Sequence, residues 1–329
     1  MQRQNATLPE GEPLSPRLRR GDRRALARAI TLIESTRAED RAQAEALVEE
    51  LLPATGKATR IGITGPPGAG KSTFIEGFGR AGIAQGRRVA VLAVDPASKR
   101  GGGAILGDKT RMTGLAQLPQ AFIRPSSAGD AAGGVARRTR EAMLLCEAAG
   151  FDTVIVETVG AGQSETAVAE MVDLFMLILP PAAGDELQGL KRGVVELADF
   201  VLVNKADGEF APAARRSAAE YASALRLVHP SGAEWQVPVR AISSLEGSGI
   251  AELWREIERF RALHRKTGAW ERRRAEQARA ALWAEIGASL LDRFRAAPKV
   301  AARLEAIEAE VMAGARTPAA AARVLLDLS

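Results

Sequence analysis

The stretch Leu174-Phe175-Met176-Leu177-Ile178-Leu179 is apolar at every position. Similar short runs recur at 60–64, 88–94, 121–124, 153–157, 200–203 and 237–242, with helical spacing between most of them. A strand that faces water on one side alternates; a continuous apolar strand bounded by helices is covered on both sides. The pattern therefore predicts an α/β fold with a mainly parallel central sheet and helices on both faces. In such a fold the functional loops gather at the carboxyl ends of the strands.

Composition sets the extent of this domain. The chain has 329 residues, 46% of them hydrophobic, enough for one α/β domain of roughly 200 residues plus helical additions. Residues 1–55 read as an N-terminal helical extension. Its first 20 residues, rich in Pro, Gly and charge, are expected to fray, and 24–34 and 40–51 carry helical spacing. The central domain spans 56–264. It closes on a helix over 249–264 whose Ala251, Leu253, Trp254, Ile257 and Phe260 form one stripe. Residues 265–329 read as a C-terminal arm of two or three helices without a partner of its own, suited to docking on the domain or on a second subunit.

Charge and cysteine content exclude several classes. There are 45 Lys and Arg against 40 Asp and Glu, a small excess with both signs interspersed. No aromatic residues interleave with the basic ones as single-strand binding requires, so no nucleic acid partner is expected. The basic run Arg272-Arg273-Arg274 reads as a solvated helix face or, alternatively, as a contact for an acidic partner surface. The longest apolar run, 174–181, is far short of the ~20 residues that span a bilayer, and the start of the chain lacks an apolar signal core. The single cysteine, Cys146, lies in an apolar helical stretch and cannot form an intramolecular disulfide. These features predict a cytoplasmic protein with no membrane partner.

Between the first strand and the first central helix stands Gly65-Pro66-Pro67-Gly68-Ala69-Gly70-Lys71-Ser72-Thr73, which matches G-x-x-x-x-G-K-[ST] in the strand–loop–helix setting that gives the pattern its meaning. Glycines let backbone N–H groups turn inward around phosphate oxygens, and the helix N-terminus adds positive dipole. Lys71 would bring charge to the β- and γ-phosphates, and the Ser72 hydroxyl would ligate Mg²⁺. The fold expectation thus narrows to a P-loop NTPase.

Asn204-Lys205-Ala206-Asp207 follows the strand at 200–203. A carboxylate at Asp207 can accept from guanine N1–H and the exocyclic amine. Adenine lacks that donor pair and would leave the charge unpaired. Ser243-Ser244-Leu245, after the last strand, is placed to back the base with main-chain N–H groups. Glu157-Thr158-Val159-Gly160 ends the strand at 153–157, where a nucleotidase senses the γ-phosphate: Glu157 toward Mg²⁺, directly or through water, and the Gly160 amide toward phosphate. Ala161 stands where many GTPases carry the Gln that orients the attacking water, so slow intrinsic hydrolysis is expected. Asp95 and Asp108 are loop carboxylates suited to Mg²⁺, although Asp108 fits helix N-capping equally well. Arg111 lies one helical turn beyond Asp108, within reach of phosphate. Gly101-Gly102-Gly103 suits a loop that orders and disorders.

Together with 91–98, AILGDKTRM at 104–112, FIRP at 122–125, EAMLLCEAA at 141–149, ETVGAGQSETAVA at 157–169 and GDELQGL at 184–190, these motifs resemble the MeaB/ArgK family of P-loop GTPases, the bacterial relatives of the methylmalonic aciduria type A protein. The resemblance covers nearly the whole chain and implies a GTP- and Mg²⁺-dependent chaperone of an adenosylcobalamin-dependent acyl-CoA mutase, most simply methylmalonyl-CoA mutase, acting as a homodimer through its C-terminal arm. It puts the Mg²⁺ ligands on Ser72, Asp95, Asp108, Glu157 and Thr158, with Arg111 at the nucleotide. It also implies a partner-sensing switch at 182–193 with Asp185, Glu186, Gln188 and Lys191.

Three rival classes leave different traces. A nickel-inserting GTPase needs Cys and His ligands, whereas His229, His264 and Cys146 form no spaced cluster. A nucleotide-dependent small-molecule kinase would answer to a small acceptor, and the guanine motif argues against ATP. A scaffold with structural GTP would bind its partner alike in every nucleotide state.

Overall fold

The structure, a computed structural model, describes residues 12–95, 112–127, 134–158, 164–181, 192–228 and 234–328. Its contacts divide the chain into two compact units, Met1–Arg274 and Ala275–Ser329.

The first unit carries seven strands: β1 (Thr59–Thr64), β2 (Val89–Asp95), β3 (Ala121–Ser127), β4 (Thr153–Thr158), β5 (Leu174–Leu179), β6 (Phe200–Val203) and β7 (Val239–Ala241). They form one sheet in the order β3-β2-β4-β1-β5-β6-β7, and every pairing is parallel. The helices in chain order are α1 (Leu14–Arg19), α2 (Arg23–Glu34), α3 (Ala38–Leu51), α4 (Lys71–Ala84), α5 (Thr113–Ala116), α6 (Gly134–Ala148), α7 (Ser164–Ala169), α8 (Arg192–Glu196), α9 (Ala211–Val228), α10 (Ile250–Lys266), α11 (Ala269–Ala296), α12 (Pro298–Met312) and α13 (Pro318–Leu326).

The apolar runs behave as the pattern predicts. All six side chains of β5 are buried. Leu174, Met176 and Ile178 share a core with Phe74 and Phe78 of α4 and Trp254 and Phe260 of α10. Phe175 points the other way, into the cluster that holds Leu26 and Ile30 of α2 and Met143 of α6. Leu177 and Leu179 meet Ala214 and Tyr221 of α9. Successive residues thus feed opposite faces, as the two-residue period of a strand requires. On one face Trp254 stacks on Phe78 with ring centroids 4.2 Å apart, and its indole N–H donates to the Phe78 carbonyl.

Strand ends differ from the sequence reading for local reasons. The last strand shrinks to Val239–Ala241, because Pro238 has no N–H to donate and only its carbonyl joins the ladder, accepting from Val201. The strand expected at 121–124 continues to Ser127 through Pro125, which the sheet tolerates because β3 is an edge strand.

The expected fraying of residues 1–20 is corrected for the part within the described residues, while 1–11 lie outside them. Residues 14–19 form α1, with Leu18 wholly buried against the α2–α6 cluster. Arg17 donates to Asp22, and the same carboxylate caps α2 by accepting from the amides of Arg24 and Ala25. One buried leucine and one shared carboxylate hold a segment whose composition reads as loose.

The second unit also departs from expectation, since the arm has a partner of its own. Val300 and Ile307 of α12 pack with Ala321 and Leu325 of α13 into a small core. The solvated reading of the run at 272–274 holds for Arg272, which reaches only the Thr267 carbonyl, and fails for its neighbours. Arg273 and Arg274 pair with Asp199 and Asp173, which directly precede β6 and β5 at the amino edge of the sheet. Among the described residues no helix is long and apolar enough to cross a membrane.

Candidate functional site

The carboxyl ends of β1, β4, β5 and β6 and the residues after β7 meet at one edge of the sheet. β1 runs into Gly65, and α4 begins at Lys71, so six residues must reverse the chain in little space. Gly65 has φ +154°, and a Cβ there would lie 2.0 Å from the Ile178 carbonyl oxygen of β5. Gly70 has φ +87°, and a Cβ there would lie 2.6 Å from Asn204 Nδ2. No side chain fits either place, which is why the loop needs glycine at both. The Lys71 ammonium folds over the loop and donates to the carbonyls of Gly65 (2.8 Å) and Pro66 (3.2 Å). Pro67, Gly68 and Thr73 are exposed and Ala69 is buried.

Asn204 joins the two motifs. It is 1% exposed. Its Nδ2 donates to the Ala69 carbonyl at 2.9 Å, and its Oδ1 accepts from the amide of Ser244 at 3.1 Å and from the Ser244 hydroxyl at 2.7 Å. Asn204 thus braces the phosphate loop, the guanine-reading segment and the 243–245 loop against one another. Lys205, next in line, takes φ +59°, the one positive value at a non-glycine among the described residues. That costs of order 1–3 kcal/mol, tolerated where the surroundings fix the backbone. Here the Ala206 amide is tied to the Ile242 carbonyl at 2.9 Å.

Asp207 is held in turn. The buried Ser243 hydroxyl donates to Asp207 Oδ2 at 2.5 Å and accepts from the Glu246 amide at 3.0 Å. The serine fixes one carboxylate oxygen and so aims the group. Sequence reasoning gave Ser243 and Ser244 only main-chain duties. Two adjacent serines after a strand were the available signal, but only the fold shows what their hydroxyls reach. Leu245 is exposed beside them.

At the end of β4, Glu157 is buried, and Ser72 Oγ donates to its Oε1 at 3.3 Å. Residues 85 positions apart thus present two hard oxygens at one point. The Thr158 hydroxyl donates to Thr64 Oγ1 at 2.8 Å within the sheet. Asp95 is the last residue of β2, opposite Ser127 in the ladder. Asp108, Arg111, Gly160, Asp185, Glu186, Gln188 and Lys191 lie outside the described residues. Cys146 takes no part: it is buried in α6, and burial pushes its thiol well above the usual range, so it stays protonated.

The chain was compared with known proteins. The family described as "Methylmalonyl Co-A mutase-associated GTPase MeaB" matches residues 26–299. A protein of Caulobacter vibrioides described as a GTPase is 55% identical over 96% of this chain and 96% of its own length. The mouse protein described as "Methylmalonic aciduria type A homolog, mitochondrial" is 45% identical over 93% of this chain and 76% of its own. Among solved structures, one titled "Crystal structure of LAO/AO transport system kinase" superposes with a TM-score of 0.75 at 36% identity, covering 98% of this chain and 99% of that one.

Proposed function

Because the chain belongs to the MeaB family of P-loop GTPases, we propose that its GTP cycle serves an adenosylcobalamin-dependent acyl-CoA mutase, most simply methylmalonyl-CoA mutase, gating cofactor loading and protecting the loaded enzyme. The observation that carries this reading is the Asn204 brace, which makes the phosphate loop and the guanine reader one rigid receptor, in a chain whose family is described as mutase-associated.

In this reading the loop at 65–73 wraps the phosphates of GTP or GDP, with Lys71 turned from its carbonyls onto the β- and γ-oxygens. Asp207, aimed by Ser243, accepts from the guanine edge. Lys205 flanks the base, and the 243–245 loop backs it. Mg²⁺ is the metal that fits. Adjacent ligands of an octahedral Mg²⁺ lie about 3 Å apart, close to the 3.3 Å between Ser72 Oγ and Glu157 Oε1, and both donors are hard oxygens. Asp95, Asp108 and Thr158 would complete or support that set. Mg²⁺ would supply charge neutralisation across the β- and γ-phosphates. Glu157 and Ser72 would orient it, Gly160 would present its amide to the γ-phosphate, and Arg111 would add positive charge. Ala161 in place of a water-orienting Gln keeps hydrolysis slow without a partner. Asp185, Glu186, Gln188 and Lys191 would report the nucleotide state to the mutase.

A homodimer is supported by the apolar face of α11. Leu282, Ile286 and Leu290 recur every four residues, Trp283 lies beside them, and all are exposed in the single chain. A second copy presenting the same face would cover them. The setting proposed is the cytoplasm.

The test is capture of an acyl-CoA mutase by this protein in GDP and in a non-hydrolysable GTP analogue, followed by GTP turnover with that mutase. Binding that depends on the nucleotide and turnover that rises on mixing are expected. Equal capture in both states with unchanged turnover overturns the chaperone reading, and a 34.8 kDa species in sedimentation overturns the dimer.

A further inference from the structure

The sheet is fastened at its amino edge by a repeated device. Asp152, Asp173 and Asp199 each precede a strand, and each accepts the backbone N–H of a residue on the neighbouring strand or just before it. Arg88 donates to Asp152 (2.9 Å), Arg60 to Asp173 (2.7 Å) and Phe175 to Asp199 (2.8 Å). The first of these carboxylates takes its further bond from the adjacent Thr153 hydroxyl. The other two are met by consecutive arginines in the opening turns of α11.

Arg274 grips Asp173 with two parallel bonds, Nε to Oδ1 at 2.6 Å and Nη2 to Oδ2 at 2.7 Å. It also donates to the carbonyls of Gly56 (2.6 Å) and Ala58 (2.7 Å), which lead into β1. Arg273 reaches both Asp199 oxygens at 3.1–3.2 Å and the Asp173 carbonyl at 2.8 Å. Asp173 is 2% exposed. Trp270, buried one turn earlier, lies under the Arg274 guanidinium at 5.3 Å. Two side chains thus hold the starts of β1, β5 and β6.

The far ends of the same three strands carry the phosphate loop, the segment 182–191 and Asn204. These strands are nearly wholly buried on both faces, and a close-packed interior passes displacement along rather than absorbing it. β1 and β5 approach closely again at the site end, where a Cβ on Gly65 would lie 2.0 Å from the Ile178 carbonyl oxygen. Bidentate arginine–carboxylate pairs fix geometry more strictly than single charges do. We propose that Arg273 and Arg274 are positioning residues for the nucleotide site: they set the stagger of β1, β5 and β6 from the opposite edge, so that the preference between GDP and GTP depends on the clamp and the first turn of α11 responds to the nucleotide.

The proposal rests on guanine-nucleotide binding; a parent chain that binds neither GDP nor a GTP analogue sinks that reading, not the clamp. The test uses the full chain with Arg274→Gln, Arg273→Gln and, as control, Arg272→Gln, whose guanidinium reaches only the Thr267 carbonyl. Dissociation constants for fluorescent GDP and a non-hydrolysable GTP analogue are measured for each, with thermal midpoints alongside. Coupling between sites is typically worth 5- to 150-fold. The expected result lies at its low end, a roughly fivefold change in the ratio of the two constants for R274Q, less for R273Q and none for R272Q. Amide exchange over 269–274 should differ between the two nucleotides in the parent and not in R274Q. A ratio unchanged in R274Q and R273Q, with only the midpoints lowered, makes the clamp a structural pin and overturns the proposal. If R274Q does not fold, Arg274→Lys keeps the charge, loses the two-pronged grip and is read by the same ratio.

Discussion

The two edges of the sheet are built on opposite principles. At the carboxyl edge the contacts are made by backbone and by short side chains: the glycines at 65 and 70, Asn204 against Ala69, Ser243 against Asp207. At the amino edge they are made by charges on long side chains: Arg60 to Glu147, Arg273 to Asp199 and Arg274 to Asp173. A phosphate site needs free N–H groups and room for a ligand, which small residues leave. An anchoring edge needs stiffness, and buried ion pairs give it at a cost in desolvation. At Asp199 that cost is visible, since burial pushes its carboxyl up against the opposing pull of Arg273.

Three substitutions probe this contrast, from the largest effect to the smallest. Lys71→Ala removes a charge that would meet two phosphates, each charge-assisted bond being worth about 1.5–3 kcal/mol. Affinity for a non-hydrolysable GTP analogue should fall by a hundredfold or more, with the thermal midpoint of the nucleotide-free chain little changed. Near-normal affinity in a titration contradicts the phosphate-loop assignment. Asp173→Asn should act the other way round. Breaking one side of a buried ion pair costs about 3–5 kcal/mol, so the loss appears in denaturant unfolding. A variant within 1 kcal/mol of the parent would mean that the amino edge is not held by charge. Ser243→Ala removes the hydrogen bond to Asp207, worth about 1 kcal/mol, together with the one from the Glu246 amide. GTP and GDP should each bind roughly five- to tenfold more weakly, with stability nearly kept. A guanine affinity equal to the parent's shows that Asp207 aims itself.

How much of this was legible in the sequence follows the same division. The phosphate loop, the guanine reader and all seven strands announce themselves within windows of ten residues, because phosphate and base chemistry impose residue types at fixed spacing and strands buried on both faces read as continuous apolar runs. The β5 run was bounded correctly at both ends, since a strand buried on both faces has no polar residue to blur it. The start of the chain was misread because composition there is loose while one residue, Leu18, decides its place. The run at 272–274 was misread because three arginines look alike until their partners, about 75 and 100 positions away, are known. The bracing role of Asn204 was not legible for the same reason: its partners are 135 and 40 residues distant.

The sequence by itself determined that this chain folds as a P-loop GTPase of the MeaB family, because motif, strand and helix each obey local rules. Only the tertiary structure decided which polar side chains brace the phosphate loop and Asp207, and that two arginines counted as surface belong at the amino edge of the sheet. Local chemistry fixes what a segment can do. Which groups meet across 100 residues is set by packing, and only there do a serine and an aspartate, or an arginine and a strand, acquire a common task.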